Sequence, residues 1–465
     1  GQNKITLITV CFLLRYLWLD VLNAVLISPP ILMEPYTTCN RINKIPLKGS
    51  LYFTIVKVVY IDYVTAANSC LHKHFAYDFG KPWMGEGLVL ASGPVWRRHR
   101  KLLNPAFSLQ VLHSFLGVFN MQARRQVSHF DSEVGRGKFD HLASLKHIAL
   151  ETVLTAFGIT ADEDKDFNRL YMAAVDQILN IIALRFSNFW LQSDLIYRFT
   201  DLKKKQDEVV KVLNAMSTAV IQRKKEMMKS IPRYFTTFSG IKCKALMDLL
   251  LELSEENTFT DKEIREEVDT AIVASYDTTS CLLAYVMMML GTYPEAQEKM
   301  LQEVFEGTDR DVTKDDLPKM VYTDAVIKET LRLYPTGPVG LRYVDKDVQL
   351  KNYTMRAGSQ CALMIYGIHN HDCWGADVKE FRPERWLDPN HPPNQNMFAG
   401  FSIGKRACMG RTFATLSMKT TLSHVLRKFK ITADISELKL KIDFLLKPVS
   451  GSLVSLERRN IVDTA

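Results

Sequence analysis

The sequence predicts a mainly α fold with a smaller β region, in one large domain. Three observations carry this. Helical periodicity dominates from about residue 94 to 330. After Pro335 the pattern changes to short strands and turns, followed by a further helix after Cys408. No internal repeat, low-complexity segment or long polar linker divides the 465 residues. Hydrophobic residues make up 47% and charged residues 24%, an ordinary globular composition that excludes a disordered chain.

The first segment, Ile5 to Ile27 (ITLITVCFLLRYLWLDVLNAVLI), is strongly apolar but carries Arg15 and Asp20. It is long enough for a membrane helix, spanning or lying in the interface, although a charge near the centre is costly. Residues 1–30 are therefore expected to form a membrane anchor. A cleaved signal peptide is disfavoured, because no small-residue cleavage pattern follows. Pro29, Pro30 and Pro35 break any helix, so 31–50 reads as a hinge. The folded body is expected from 51, opening on a strand-like run, LYFTIVKVVYI.

Within the helical part, Thr260 to Glu263 (TDKE) is a capping box. The next stop signals are Gly291 and Pro294. The spacing predicts a helix of about 30 residues running through the core. SYDTTS, Ser275 to Ser280, falls in its middle. Ser, Thr and Asp prefer local hydrogen bonds outside helices, so a functional groove is expected there.

The net charge of +8, from 59 basic and 51 acidic residues, suits an acidic partner or an anionic membrane face. The basic clusters at Arg97–Lys101, Lys203–Lys205 and Arg223–Lys225 are not interleaved with aromatics, which argues against nucleic-acid binding. Eight cysteines contain no CxxC pair, so zinc-ribbon and thioredoxin-like sites are excluded. Their irregular spacing predicts reduced thiols on the cytosolic side.

Cys408 is different. Gly404 and Gly410 frame it, and Lys405 and Arg406 lie close by. Basic neighbours favour a thiolate, and a thiolate binds metal. Phe401 to Gly410 (FSIGKRACMG) matches F-x-x-G-x-R-x-C-x-G at every fixed position. Three further segments join it. Glu329 and Arg332 (ETLR) lie at i, i+3 on one helix face and can pair. Arg385, in FRPERW, can enter that pair, and Trp96 and Arg100, in WRRHR, share a helix face.

These four segments in this order resemble the cytochrome P450 superfamily of haem-thiolate monooxygenases. The resemblance runs from about Leu51 to the C-terminus, and its details are most similar to the animal microsomal family-4 clade. It implies the cytochrome P450 fold and haem b, with Cys408 as axial ligand. A thiolate ligand pushes electron density onto iron and favours O–O cleavage. The resemblance also assigns expected roles. Gly404 lets the loop approach the porphyrin, Gly410 admits the following helix, and Phe401 shields the sulfur. The N-terminus of that helix is expected to lower the thiol pKa. Trp96, Arg100, Arg342 and Arg406 face the haem propionates. Glu329, Arg332 and Arg385 form a buried structural network. Asp277 and Thr278 form the acid–alcohol pair that delivers protons.

Several positions depart from the family pattern. Ser275 replaces a glycine, which narrows the groove. Ala274 stands where family-4 members often carry a Glu that ester-links haem, so non-covalent haem is expected. Tyr276 replaces a histidine, and Ala271 and Val273 replace phenylalanines. The N-terminal part is shortened, with NKIPLKGS running almost directly into LYFTIVKVV. HNHD, His369 to Asp372, reads as a structural turn rather than a metal site, and NYT, Asn352 to Thr354, as a sequon left unmodified in the cytosol.

The resemblance further implies NADPH–cytochrome P450 reductase and cytochrome b5 as partners, and a monomer on the endoplasmic reticulum membrane with its catalytic domain facing the cytosol. The substrate is a lipophilic fatty acid, terpenoid or xenobiotic. Its contacts are expected within 80–95, 181–197, 273–278, 336–341 and 449–453. Two alternatives remain open at this point. One is a hydroperoxide isomerase or dehydratase that needs no reductase, which Asp277 and Thr278 oppose. The other is an impaired haem-binding protein, which the shortened front supports and the intact Cys408, Glu329 and Arg332 oppose.

Overall fold

A computed structural model describes residues 66–157, 165–230, 245–303, 309–350, 354–389 and 397–459. The expected anchor, hinge and first strand-like run lie outside the described residues, as does Asn352 of the sequon. Strand β1 (His72–Lys73) comes first, then a 3₁₀ turn, Phe75–Gly80. Helices α1 (Gly93–Leu103) and α2 (Leu116–Asp131), strand β2 (Phe139–Asp140) and helices α3 (Leu142–Ala156) and α4 (Lys165–Ser187) follow. Two one-turn helices, α5 (Phe189–Gln192) and α6 (Asp194–Tyr197), lead into α7 (Asp201–Ser230) and α8 (Leu246–Glu255). Then come α9 (Asp261–Thr292), α10 (Pro294–Glu303) and α11 (Val321–Leu333). Strands β3 (Val339–Tyr343), β4 (Val348–Gln349), β5 (Thr354–Met355) and β6 (Gln360–Met364) precede α12 (Arg411–Lys428). The chain closes with β7 (Phe429–Thr432), β8 (Leu440–Ile442), β9 (Leu446–Pro448) and β10 (Leu453–Arg458). The fold is mainly α with small sheets, as the periodicity predicts.

The central helix shows how directly local sequence sets these bounds. Thr260 and Glu263 cap each other's backbone at its start. The helix then runs 32 residues to Thr292, two short of Pro294. The polar run inside it does not end it. The Thr278 hydroxyl donates to the Ala274 carbonyl at 2.7 Å, and the Ser280 hydroxyl to Asp277 O at 3.2 Å. Bonding back onto the preceding turn satisfies these side chains without unwinding the backbone.

Two apolar clusters meet along α9. One joins Phe79, Trp83, Ile178, Ile182, Val268, Ile272 and Val273, with Leu341 and Met409 packed against it. The other joins the C-terminal half of α9 to α11 and α12 through Val286, Leu290, Ile327, Leu331, Leu422 and Leu426. Of the two helices long and apolar enough to cross a membrane among the described residues, α9 is mostly buried and is this core helix. The sheets lie at the edge. In β1-β3-β6, Lys73 pairs with Arg342, and Arg342 with Cys361. This register brings basic side chains from distant segments beside the cysteine loop.

Candidate functional site

The loop from Phe401 to Gly410 folds back on itself. The Cys408 N–H donates to Phe401 O at 2.8 Å, and the Ala407 N–H to Gly404 O at 3.0 Å. Ser402 and Gly404 both adopt positive φ, +57° and +72°. By surface area Cys408 is exposed, yet the protein around it desolvates the sulfur. Burial pushes its thiol pKa up; the N–H groups of Gly410 and Arg411 and the Arg100 charge act in the opposite direction. The helix N-terminus acts in the lowering direction, as expected, but desolvation outweighs it and the net shift is upward. A thiolate here needs a strong cation on the sulfur, which a coordinated metal supplies.

The two glycines differ in what surrounds them. At Gly404 an added Cβ would lie 2.6 Å from Asn68 Oδ1, on a backbone already at positive φ. Its glycine is required by conformation and by Asn68. Gly404→Ala is expected to destabilise by about 1–2 kcal/mol, measured by thermal melting of the purified protein. At Gly410 the nearest atom to an added Cβ is Cys408 Sγ at 3.9 Å, an ordinary contact. What Gly410 contributes is its N–H to the sulfur. The Phe401 ring, with Ile327, Phe398 and Leu416, lines a cavity of about 180 Å³ below the loop.

Beside this loop lie the expected cations. Arg406 donates to Leu71 O and Ala91 O and stacks over the Trp96 ring at 4.1 Å. Arg100 donates to Ala407 O at 3.0 Å. Arg342 is 5% exposed, and its Nε has no hydrogen-bond partner among the described residues. Burial, then repulsion from Arg342, lowers the Arg406 pKa to about 9, and Arg100 adds to that repulsion. Lys73 joins them. Burial, Arg342 and Arg406 all push its pKa well down. None of these four cations forms an ion pair among the described residues. An uncompensated cluster of one buried and three half-buried cations is costly. A dianion would relieve it, and the two carboxylates of haem match that need, so the donor set fits the cofactor. Lys73 carries no local signal in HKHF; only its pairing with Arg342 reveals it.

On α9, Asp277 and Thr278 share a turn but no hydrogen bond. Thr278 is half-buried beside Ala274 and Ser275. Asp277 is 2% exposed and turns toward α3 and β9. Lys146 Nζ lies 3.0 Å and Lys447 Nζ 3.3 Å from its two oxygens. Asp176 of α4 pairs with both lysines, at 3.1 and 3.8 Å. Two lysines and two aspartates thus alternate in a ring. Burial opposes the Lys146 charge, but Asp277 and Asp176 hold its pKa up. Sequence reasoning missed Lys146, Lys447 and Asp176, because the ring closes only through tertiary contacts.

The third group is fully buried. Glu329 Oε1 accepts from Arg332 at 2.8 Å and Arg385 at 2.9 Å; Oε2 accepts from Arg332 at 2.9 Å and Trp386 Nε1 at 3.0 Å. His369 links this network to the cysteine segment. Its Nδ1 meets Arg332 O at 3.1 Å, and its Nε2 accepts the Ala399 N–H at 2.9 Å. Both ring nitrogens are thereby engaged by the backbone, the structural role expected of HNHD.

Comparison with known proteins agrees with these features. The cytochrome P450 family model matches residues 52–454. Cytochrome P450 4V2 of Mus musculus is 32% identical over 423 residues, covering 87% of this chain and 80% of its own length. Cytochrome P450 4c21 of Blattella germanica is 32% identical over 86% of this chain and 82% of its own. Cytochrome P450 4c3 of Drosophila melanogaster is 32% identical over 84% and 77%. These relatives carry family-4 names, in agreement with the motif resemblance. A cysteine loop flanked by unpaired cations, a long buried core helix and a Glu–Arg–Arg network thus occur together in a chain that belongs to the cytochrome P450 family, a haem-b oxidoreductase and monooxygenase.

Proposed function

We propose that Cys408 ligates the iron of non-covalent haem b, and that the enzyme oxygenates a lipophilic substrate on the α9 side of that haem. Electrons would come from NADPH through cytochrome P450 reductase, with cytochrome b5 as a second donor. The observation that carries this reading is the cluster of Lys73, Arg100, Arg342 and Arg406 beside the Cys408 loop, four cations without an ion-pair partner among the described residues. Bound haem supplies dioxygen activation. The protein supplies the rest. Arg100, Arg342, Arg406 and Lys73 receive the propionates, and Trp96 backs Arg406. Gly410 and Arg411 N–H groups orient the sulfur, and Phe401 shelters it. Ala274 offers no carboxylate for an ester link.

Thr278 donates its hydroxyl to Ala274 O on the half-buried face of α9. It can position a water there, and Asp277 with Lys146 and Lys447 can relay protons from the surface-exposed Asp176 side. Thr278→Ala is expected to bind haem normally but to consume NADPH with release of hydrogen peroxide. Tight coupling of NADPH to product in that variant would remove Thr278 from proton delivery. The presence of both residues favours an oxygenase over a reductase-independent hydroperoxide isomerase.

Residues 1–30 would anchor the chain to the endoplasmic reticulum, residues 31–50 would act as hinge, and 51–465 would form a monomeric catalytic domain facing the cytosol. The exposed side chains of Phe189, Trp190, Leu195, Ile196 and Phe199 support membrane contact by that domain. Exposed Lys405 and Arg411 beside the cysteine loop suit an acidic reductase surface. The test is reductase-dependent turnover of a panel containing a medium-chain fatty acid, a terpenoid and a lipophilic aromatic. Product with NADPH and reductase supports the reading. Conversion of a lipid hydroperoxide without either would overturn it.

A further inference from the structure

Helix α1 is attached on two sides. Toward the cysteine loop, Arg100 donates to Ala407 O at 3.0 Å, and the Trp96 ring lies under the Arg406 guanidinium. One residue before Arg100, His99 turns to α9 instead. It is fully buried, and its Nδ1 lies 2.6 Å from Oε1 of Glu267, a residue only 2% exposed. Arg98 Nη2 lies 3.0 Å from His99 Nε2. A guanidinium only donates, so Nε2 accepts and Nδ1 carries the hydrogen shared with Glu267. Arg98 closes the outer end: it pairs with Glu263 of the capping box and donates to Thr258 O at 3.0 Å. The Phe259 ring packs on the imidazole, with 4.8 Å between centroids. Glu267, Ala274 and Thr278 stand at i, i+7 and i+11 and so share one face of α9.

We infer that His99 is a positioning residue for haem: its buried bond to Glu267 fixes the roll of α1 against α9, so that Arg100 and Trp96 meet the propionates. Successive side chains on a helix point about 100° apart, so α1 lies as a beam between α9 and the cysteine loop. A small roll about its axis carries Arg100 off Ala407 and Trp96 off Arg406. The half-exposed Arg98–Glu263 pair resists such a roll weakly. The desolvated bond between imidazole and carboxylate resists it strongly. Without the imidazole donor, the Glu267 carboxylate is left buried with no hydrogen-bond partner among the described residues, at the full cost of its desolvation. Glu267 also shares its helix face with Ala274 and Thr278, so the same bond ties the propionate end of the site to the proposed substrate side. His99 acts through Arg100 and Trp96 and touches no reacting atom. Its role toward haem rests on the function proposed above.

Haem transfer from the full-length, haem-loaded protein to apomyoglobin tests the strut. His99→Phe keeps a ring against Phe259 but offers Glu267 no hydrogen, and haem should leave about tenfold faster. His99→Asn places an amide N–H where Nδ1 lies, and should release haem within about threefold of the wild-type rate. Wild-type release by His99→Phe would overturn the proposal. Equal release by the two variants would overturn it too, since shape rather than the bond would then decide. Hydrogen exchange across 93–103 reads the helix itself, and should quicken in His99→Phe but not in His99→Asn. Faster exchange with unchanged haem release would overturn the role toward haem. If His99→Phe does not accumulate, Glu267→Gln keeps the shape and exchanges a charge-assisted bond for a weaker one. It should release haem about threefold faster, and wild-type release would equally overturn the proposal. A wild-type protein without a thiolate-type carbon-monoxide band would sink the Cys408 assignment, while the exchange comparison would still report on the strut.

Discussion

Cys408→Ala is expected to abolish the thiolate-type Soret band of the reduced carbon-monoxide complex, and oxygenase turnover with it. The loss should be complete rather than partial, because no other described thiol can take over. Burial pushes the Cys70 thiol up to about 11 and those of Cys281 and Cys361 up to about 12. All three sit inside packed side chains. Cys373 is also shifted up by burial and lies in the turn that carries Trp374, away from the loop. The cation cluster is untouched by the substitution. Porphyrin uptake, measured as haem per protein after reconstitution, should therefore fall less than the band does. Triple replacement of Arg100, Arg342 and Arg406 with Gln should do the reverse: little haem retained, but a thiolate-type band from whatever remains. A persistent thiolate band in Cys408→Ala would move the iron ligand to another residue.

Much of this arrangement was legible before any coordinates. The bounds of α9 follow from a capping box and a proline, both local signals. The cysteine decapeptide, Glu329, Arg332, Arg385, Trp96 and Arg100 are recognisable because each sits in a short motif with fixed spacing. What escaped is non-local. Lys73 becomes part of the site through strand pairing across some 270 residues of chain. Lys146 and Lys447 reach Asp277 from a helix and a strand that share no motif with it. The net direction of the sulfur's pKa shift is non-local in the same way. A helix N-terminus can be read in sequence, whereas the desolvation that outweighs it depends on the packed surroundings. At Gly404 the close neighbour, Asn68, lies more than 300 residues earlier in the chain.

Glu329→Gln is expected to cost about 3–5 kcal/mol of stability, the largest structural effect of a single substitution at the site. The carboxylate faces donors on every side. Arg332, Arg385, the Arg382 N–H and Trp386 Nε1 all give hydrogen bonds to it. Gln keeps the shape but presents an NH₂ group to one set of donors and removes the only full charge between two buried guanidiniums. Asp377, whose Oδ2 lies 3.3 Å from Arg385, still compensates that residue in part. Arg332 keeps only the carbonyls of His369, Val378 and Glu380. The penalty therefore falls mainly on Arg332, and Arg385→Met should cost less than Glu329→Gln. Trp386 fluorescence is a direct reporter during urea unfolding, since its indole donates to the carboxylate. A loss below about 1 kcal/mol in Glu329→Gln would show that the network does not hold the fold. Haem release, followed at the Soret band in the same titration, separates two roles. Arg332 O engages His369, His369 accepts the Ala399 N–H, and Ala399 opens the segment that leads to Cys408. If Glu329 acts through this chain, haem leaves before Trp386 is exposed; if it acts on the whole core, the two transitions coincide.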